Sequence, residues 1–524
     1  MRSVAWPRKA RIALSLVFLI FTGVIFLDPA RWIPVTWINV ITWPQFAPSF
    51  LKFLVTGIWA ASGFLLFVIL TVLFGRIYCS TVCPLGTLQD IISRIRRRIL
   101  RQKPLRYARP QNMLRYIILI IVIISIIAGS ALLVNFLDPY SNFGRIMANL
   151  FRPVVLTANN TLAGILEKQD IFWLPRTPWK SYQLASLGFA AAFLILVTWM
   201  SAVSGRLYCN TVCPVGALLS LFSRISLFRI SLDKQLCNSC GQCSKVCKAQ
   251  CIDVKSREVD YSRCVACFNC ITACPSSGVV YGIAKFRINN GKKKFEAAEN
   301  GHRRTLLKAL MVGTAFLSTK TLATRLTGGE KPTSIPEERS QVSSPPGSEG
   351  HDHFNKNCTA CHLCVSACPT HVLQPSFLEY GVQGLMQPYM DYHSGFCNFE
   401  CTVCGDICPT GAILPLAGEH KKRVQLGVAV FIKENCVVYT DETDCGACSE
   451  HCPTKAVDMV PYKDGLTIPE VNDKICIGCG ACEYACPTRP FRAIFVEGNQ
   501  LHIMADEPQQ EEIILEDTGE DFPF

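Results

Sequence analysis

Two kinds of patterning divide the chain. In its first 205 residues the dominant signal is apolar runs without Asp, Glu, Lys or Arg, at residues 12–27, 53–75, 116–137 and 181–205. A run of about 20 such residues is long enough to cross a hydrocarbon core of about 30 Å. The stretch YIILIIVIISIIAGSALLVNFL from Tyr116 has no polar face to turn toward water, so a buried helix of a soluble domain is the weaker reading. Four membrane helices are predicted, the first lengthened by its flanks. Beyond Gly205 the long runs stop. Short segments interrupted by Cys, Gly and Pro take over, which predicts small strands and helices wrapped around metal rather than a large apolar core. The fold class expected is a membrane α-helical domain plus small α+β domains.

Charge orients the helices. Arg2, Arg8, Lys9 and Arg11 precede the first run, and RIRRRILRQKPLRYAR (94–109) follows the second with eight basic residues and no acid. Basic loops beside spans remain cytoplasmic. The loops at 28–49 and 138–180 then face outward, where Trp32, Trp37, Trp43, Trp173 and Trp179 suit the interface. Read this way, the net charge of +12 reports topology and membrane lipid, with no nucleic-acid partner.

The membrane half repeats itself. FLDP at Phe26 recurs at Phe136, and GRIYCSTVCPLG from Gly75 recurs as GRLYCNTVCPVG from Gly205. Both units run out, turn and return with the same topology, a parallel repeat able to pair about an axis along the membrane normal. Each unit ends in C-x3-C-P. Pairing would bring Cys79, Cys83, Cys209 and Cys213 together at the cytoplasmic face as a four-thiolate metal site. A [4Fe–4S] cluster, zinc, or a redox dithiol in each repeat are the three occupants considered, the cluster first.

The remaining cysteines carry the strongest signal. Of the 29 cysteines of this 524-residue chain, 24 fall into C-x2-C-x2-C-x3-C groups or close variants, the group at Cys397 opening with C-x3-C and that at Cys436 inserting eight residues before Cys445; disulfide frameworks rarely show this pattern and bacterial ferredoxins do. Three close cysteines grip one cube and the fourth reaches its neighbour. Cys237, Cys240, Cys243 and Cys274 are therefore expected on one cluster, and Cys264, Cys267, Cys270 and Cys247 on the other. Lys248 stands where proline usually follows the fourth cysteine, and Cys251 is either a spare thiol or a substitute for Cys247. Four further groups follow: Cys358, Cys361, Cys364 and Cys368; Cys397, Cys401, Cys404 and Cys408; Cys436, Cys445, Cys448 and Cys452; Cys476, Cys479, Cys482 and Cys486. Each ends in C-P. Six [4Fe–4S] clusters result, with a seventh at the paired C-x3-C-P motifs, and 28 of the 29 cysteines are used.

Between the two ferredoxin regions lies HRRTLLKALMVGTAFLSTK (302–320), with Arg303 and Arg304 ahead of a modest apolar stretch. This is a twin-arginine-like export signal within a chain, or a basic amphipathic helix. Residues 305–322 are a candidate fifth span. The domains expected are 1–225, a four-helix membrane domain; 226–300, a cytoplasmic two-cluster ferredoxin; 301–322, the export-like segment; 323–356, a flexible linker; 357–495, a four-cluster ferredoxin; and 496–524, an acidic tail.

On these motifs, residues 1–280 resemble the membrane polyferredoxin subunit of periplasmic nitrate reductase systems. Residues 300–495 resemble the exported four-cluster ferredoxin of the same systems. The chain thus looks like a fusion of two subunits, in the wider family of 4Fe–4S binding proteins. The resemblance implies a multi-pass protein of the bacterial inner (cytoplasmic) membrane with its distal ferredoxin extracytoplasmic. It also implies electron transfer from quinol toward an extracytoplasmic reductase. The chain would be a non-terminal subunit of a quinol-dependent oxidoreductase complex, without catalytic residues of its own. Its partners would be quinol or quinone and a terminal reductase or cytochrome subunit. Asp28, Asp138 and the C-x3-C-P regions are the candidates for a quinone site. The alternative function is electron delivery for the assembly or regulation of another metalloenzyme.

Overall fold

The computed structural model describes residues 6–29, 32–57, 62–99, 107–177, 183–283 and 335–507. The export-like segment 301–322, the first part of the linker and the tail beyond Glu507 lie outside those residues, and so do the expectations placed on them.

Among the described residues the membrane half is built from helices. Its helices are α1 (Trp6–Leu27), α2 (Val35–Thr42), α3 (Phe46–Thr56), α4 (Ser62–Phe74), α5 (Tyr78–Thr81) and α6 (Pro84–Ile99). The second repeat supplies α7 (Asn112–Ile127), α8 (Leu132–Leu137), α9 (Pro139–Ile146) and, after a π turn at Met147–Phe151, α10 (Arg152–Glu167). It closes with α11 (Leu184–Ser204), α12 (Leu207–Thr211) and α13 (Pro214–Ser223). Among the described residues, α1 and α11 are the two helices long and apolar enough to cross a membrane.

The two middle runs do not form single spans. Run 53–75 is broken at Gly57, whose φ of +93° ends α3. The chain then doubles back. The Phe64 amide donates to Ser49 Oγ (3.0 Å), and the Phe64 ring lies 5.0 Å from that of Phe46 and 5.1 Å from that of Phe50. Run 116–137 is broken at Gly129, with φ of +77°, leaving α7 and the short α8. Glycine adopts these angles without a Cβ clash. Hydropathy misses both breaks because the residues on either side are equally apolar.

Beyond α13, β1 (Phe228–Leu232) pairs antiparallel with β4 (Val279–Ile283), and β2 (Ile252–Asp253) pairs with β3 (Glu258–Val259). Between them sit α14 (Gln242–Lys245) and α15 (Asn269–Ala273). The distal region repeats this economy. β5 (Leu373–Pro375) pairs with β6 (Pro388–Met390), β7 (Val424–Phe431) with β10 (Ile494–Met504), and β8 (Val457–Pro461) with β9 (Thr467–Val471). This unit reaches further than 357–495. β10 runs on to Met504, Gly350 bridges Leu501, and the Gly498 amide donates to Gln341 O (3.1 Å).

The two ferredoxin regions pack at opposite ends of the same helices. At the start of α11, Gln183 Nε2 donates to Tyr389 Oη (3.3 Å) of the distal unit. Just past its end, the Arg206 amide donates to Lys248 O (3.1 Å) of the two-cluster domain. With 21 residues at 1.5 Å each, α11 separates those contacts by about 31 Å. On α1, Arg8 Nη1 donates to Thr272 Oγ1 (3.2 Å) near one end, while Phe26 packs with Tyr140 and Cys361 at the other.

Candidate metal centres

Each C-x3-C-P motif is a short helix followed by a capped one. Cys213 precedes α13, Pro214 is its first residue, and the Cys213 sulfur accepts from the Gly216 amide (3.3 Å). Cys83 does the same for α6, accepting from Gly86 at 3.4 Å. Proline suits this position because its missing N–H would have no partner in a first turn, and the cap directs each sulfur at a helix N-terminus. A Cβ on Gly86 would sit 2.5 Å from Cys79 O, and one on Gly216 would collide with Cys209 O. The motif is therefore C-x3-C-P-x-G.

The two motifs meet. Cys79, Cys83, Cys209 and Cys213 lie in one buried core with Tyr78 and Tyr208, and each cysteine is at most 4% exposed. Two arginines, one from each repeat, cross between the halves. Arg76 Nη2 donates to Cys209 O (3.1 Å) and lies 3.7 Å from Cys79 Sγ, while Arg206 Nη1 donates to Cys79 O. Gln89 Nε2 donates to Cys209 Sγ (3.3 Å). The four sulfurs thus have a positive, donor-rich surround.

Beneath the quartet Asp90, on α6, gathers three cations: Lys248 at 2.7 Å, Arg206 at 2.9 Å and Arg11 at 3.4 Å. Burial opposes its ionisation, but Arg206 and Lys248 overcome that and hold the carboxyl well below the usual carboxylate range. One carboxylate thereby ties α6 to α1, to the second repeat and to the two-cluster domain. Nothing in the sequence alone assigns Arg76, Arg206 or Asp90 a role at the quartet. The arginines stand in the duplicated GR-x-YC and were legible as part of the repeat.

The ferredoxin cysteines fall into six groups. Cys237, Cys240, Cys243 and Cys274 line one hollow, and Cys247, Cys264, Cys267 and Cys270 line the next, together with Cys251. Cys251 Sγ lies 3.6 Å from Cys247 Sγ. In the distal unit the fourth cysteines are exchanged between neighbouring groups. Cys368 joins Cys397, Cys401 and Cys404, and Cys486 joins Cys436, Cys445 and Cys448. Cys408 sits with Cys358, Cys361 and Cys364, and Cys452 with Cys476, Cys479 and Cys482. The four hollows named are small and nearly alike, each of about 10–20 Å³. Four thiols around a uniform hollow, with backbone amides directed at sulfur (Ala360 N to Cys358 Sγ, 3.4 Å), fit a four-thiolate cluster.

Packing and hydrogen bonds link these sites to one another. Cys267 and Val265 belong to the quartet's own core. On the other side Tyr208 Oη donates to Leu137 O (2.7 Å), and Tyr140, three residues on, packs with Cys361. The Cys397 amide donates to Cys479 O (2.9 Å), linking the two halves of the distal unit.

The candidate quinone aspartates serve the backbone. Asp138 is fully buried and caps α9 through Ser141 N (2.8 Å), and Asp28 accepts from Ile33 N (3.0 Å). A cavity of about 490 Å³ lies elsewhere, between α1, α6 and the two-cluster domain. Arg8, Arg94, Lys248 and Thr272 give it polar walls, and Ile12 and Leu16 apolar ones.

Comparison with known proteins finds iron–sulfur families in both halves of the chain. Residues 56–103 and 187–233 match the family described as 4Fe–4S binding domain, and residues 352–437 and 443–489 match the 4Fe–4S dicluster domain. The chain is 31% identical over 203 residues to the methylamine utilization ferredoxin-type protein MauM of Methylobacillus flagellatus, covering 36% of this chain and 81% of that protein. It is 28% identical over 134 residues to the ferredoxin-type protein NapF of Escherichia coli K12, covering 26% of this chain and 73% of NapF. It is also 27% identical over 267 residues to the putative electron transport protein YccM of the same organism, covering 48% of this chain and 65% of YccM. No solved structure matches the chain.

Proposed function

The chain belongs to the bacterial ferredoxin-type 4Fe–4S proteins, and on that premise we propose that it carries electrons from quinol across the inner membrane toward an extracytoplasmic reductase or cytochrome subunit. It is a membrane-associated iron–sulfur protein with an electron-carrier role. The direction, the quinol and the acceptor are our reading, as is the joining of a membrane polyferredoxin with an exported ferredoxin.

One observation carries the proposal. The two-cluster domain and the distal array contact opposite ends of α11, about 31 Å apart, which matches a hydrocarbon core of about 30 Å. Arg8 on α1 and Arg94, Arg97 and Arg98 on α6 lie at the two-cluster end, the cytoplasmic side by the distribution of Lys and Arg. Six ferredoxin groups hold [4Fe–4S] clusters in this reading, and such clusters supply one-electron transfer when bound. The chain's own residues position them, shield them from water and present one group to each partner.

Quinol is assigned to the 490 Å³ cavity. Ile12 and Leu16 line the side on α1 suited to an isoprenoid tail, and Thr272 and Lys248 stand beside the cysteines of the two-cluster domain. The purified protein is expected to lose visible cluster absorbance when menaquinol is added anaerobically, and Leu16→Arg is expected to slow that loss at least tenfold. Clusters that dithionite bleaches but no quinol does would count against quinol as donor.

A further inference from the structure

Two ferredoxin sets about 31 Å apart need an intermediate electron carrier, and conventional ferredoxin motifs provide none inside the bundle. We propose that the Cys79–Cys83–Cys209–Cys213 quartet is that carrier site: a one-electron centre within the membrane domain, poised by the crossed arginines, linking the cytoplasmic pair to the distal array. This rests on the two sets facing opposite sides, as proposed above. It does not depend on quinol being the donor.

The position of the quartet is the first argument. On the cytoplasmic side it shares a core with Cys267 and Val265 of the nearer ferredoxin site, and Arg76 bridges the two by donating to Ser262 O (3.1 Å). On the outer side the connection is short. Tyr208 packs against the quartet, and its hydroxyl bonds Leu137 O (2.7 Å). Asp138 then caps α9, and Tyr140 of that helix packs beside Cys361. Along α1, Arg11 donates to Ser80 O (3.1 Å) next to Cys79, while Phe26 packs beside Cys361. Those two levels are 15 residues apart, about 22 Å. The quartet thus shortens the step to the distal array.

Charge is the second argument. Four thiolates around a [4Fe–4S] core carry a net charge of about −2, rising to about −3 on reduction. Burying such a charge without compensation is prohibitive. Arg76 and Arg206 are 0% and 1% exposed and reach across the pseudo-twofold to the opposite motif. With Arg11 and Lys248 they supply four positive charges against the single carboxylate of Asp90. Zinc on four thiolates would carry the same charge of about −2 but never change it, so only a redox centre uses the surround to set how readily it is reduced. Each step moves one electron and no proton. The reduced cytoplasmic centre loses one electron, the quartet centre gains it, and then passes it to the centre held by Cys358, Cys361, Cys364 and Cys408.

The test uses the full chain in sealed vesicles of synthetic lipid without quinone. Membrane-impermeant dithionite is supplied on the side of the two-cluster domain, with orientation read from a tag at Glu258. The signals are the low-temperature EPR and visible bleaching of the distal clusters. In the wild type the distal array is expected to be reduced. In Cys83→Ser/Cys213→Ser this reduction should slow at least 100-fold, while dithionite on the array's own side still bleaches it. That control shows that the array has folded and loaded. Arg76→Gln is expected to make the quartet's EPR signal harder to reduce, and Arg76→Lys to restore it in part. Equal rates in wild type and the double serine variant, with the array on the far side, would overturn the proposal. So would an array that dithionite from the two-cluster side never reduces. A tag at Gly418 labelled on the same side as Glu258 would instead overturn the opposite-side arrangement, and the relay with it. Failure of quinol to bleach the protein touches neither result.

Discussion

Replacing Asp90 with asparagine removes one negative charge and leaves three cations without a carboxylate. Asp90 lies 2.7 Å from Lys248, 2.9 Å from Arg206 and 3.4 Å from Arg11. Their side chains are 12%, 0% and 5% exposed, so water cannot take over the lost role. Removing one partner of a buried ion pair costs roughly 3–5 kcal/mol. Here the orphaned groups are three, and the upper part of that range is expected. The change to asparagine should lower the melting temperature of the protein in detergent, followed by loss of cluster absorbance, by on the order of 5–10 °C. Because the folded carboxyl titrates below its unfolded value, its stabilisation is complete above an unfolded pKa of about 3.9 and lost only on further acidification. The gap between variant and wild type should therefore be constant between pH 6 and 8. Adding Lys248→Met removes one stranded cation and should recover at least about 1 kcal/mol in a double-mutant cycle. A melting temperature within 1 °C of wild type, or two effects that simply add, would refute the idea that one carboxylate holds these elements together.

Three other outcomes follow from the same geometry. Gly216→Ala places a Cβ against Cys209 O and 2.8 Å from Arg76 Nη2; the iron content should fall from about 28 to about 24 per chain with the ferredoxin EPR signals retained. Cys251→Ala should leave the iron content unchanged, whereas Cys247→Ala should lose about four irons, as the ferredoxin spacing implies. His502, buried beside Ser344, has its pKa lowered to about 4 from 6.5, chiefly by burial and then by His351. The neutral ring's contribution is complete above pH 6.5 and declines as pH falls toward 4, so going from pH 7.5 to 5.5 should cost the distal unit about 1 kcal/mol. His502→Gln should flatten that dependence in thermal melts, and an unchanged slope would count against it.

Much of this arrangement was legible in the sequence, and the exceptions have physical causes. The fold class follows from the change of pattern at Gly205. The C-x2-C-x2-C-x3-C groups predicted ferredoxin chemistry because thiolate spacing is a local property. In the distal array the partner group of Cys368, Cys408, Cys452 or Cys486 was not legible, because the exchange is made through tertiary packing. The interruptions at Gly57 and Gly129 were hidden because apolar residues flank both. The crossing of Arg76 and Arg206 needed the two repeats to be placed face to face. Asp28 and Asp138 illustrate the reverse: as isolated acids near apolar runs they read as candidate ligand groups, but the structure uses them for caps and turns. The cavity at α1 and α6 has no sequence motif, since its walls come from three separate stretches of chain.

The account stands on the two ferredoxin sets facing opposite sides of the membrane. Single-site tags near Glu258 and Gly418, probed in intact and permeabilised cells with an impermeant thiol- or peptide-directed reagent, test this most directly. The Gly418 tag should be labelled in intact cells, and the Glu258 tag only after permeabilisation. Labelling of both only after permeabilisation would contradict the account, because all six ferredoxin groups would then share the cytoplasm.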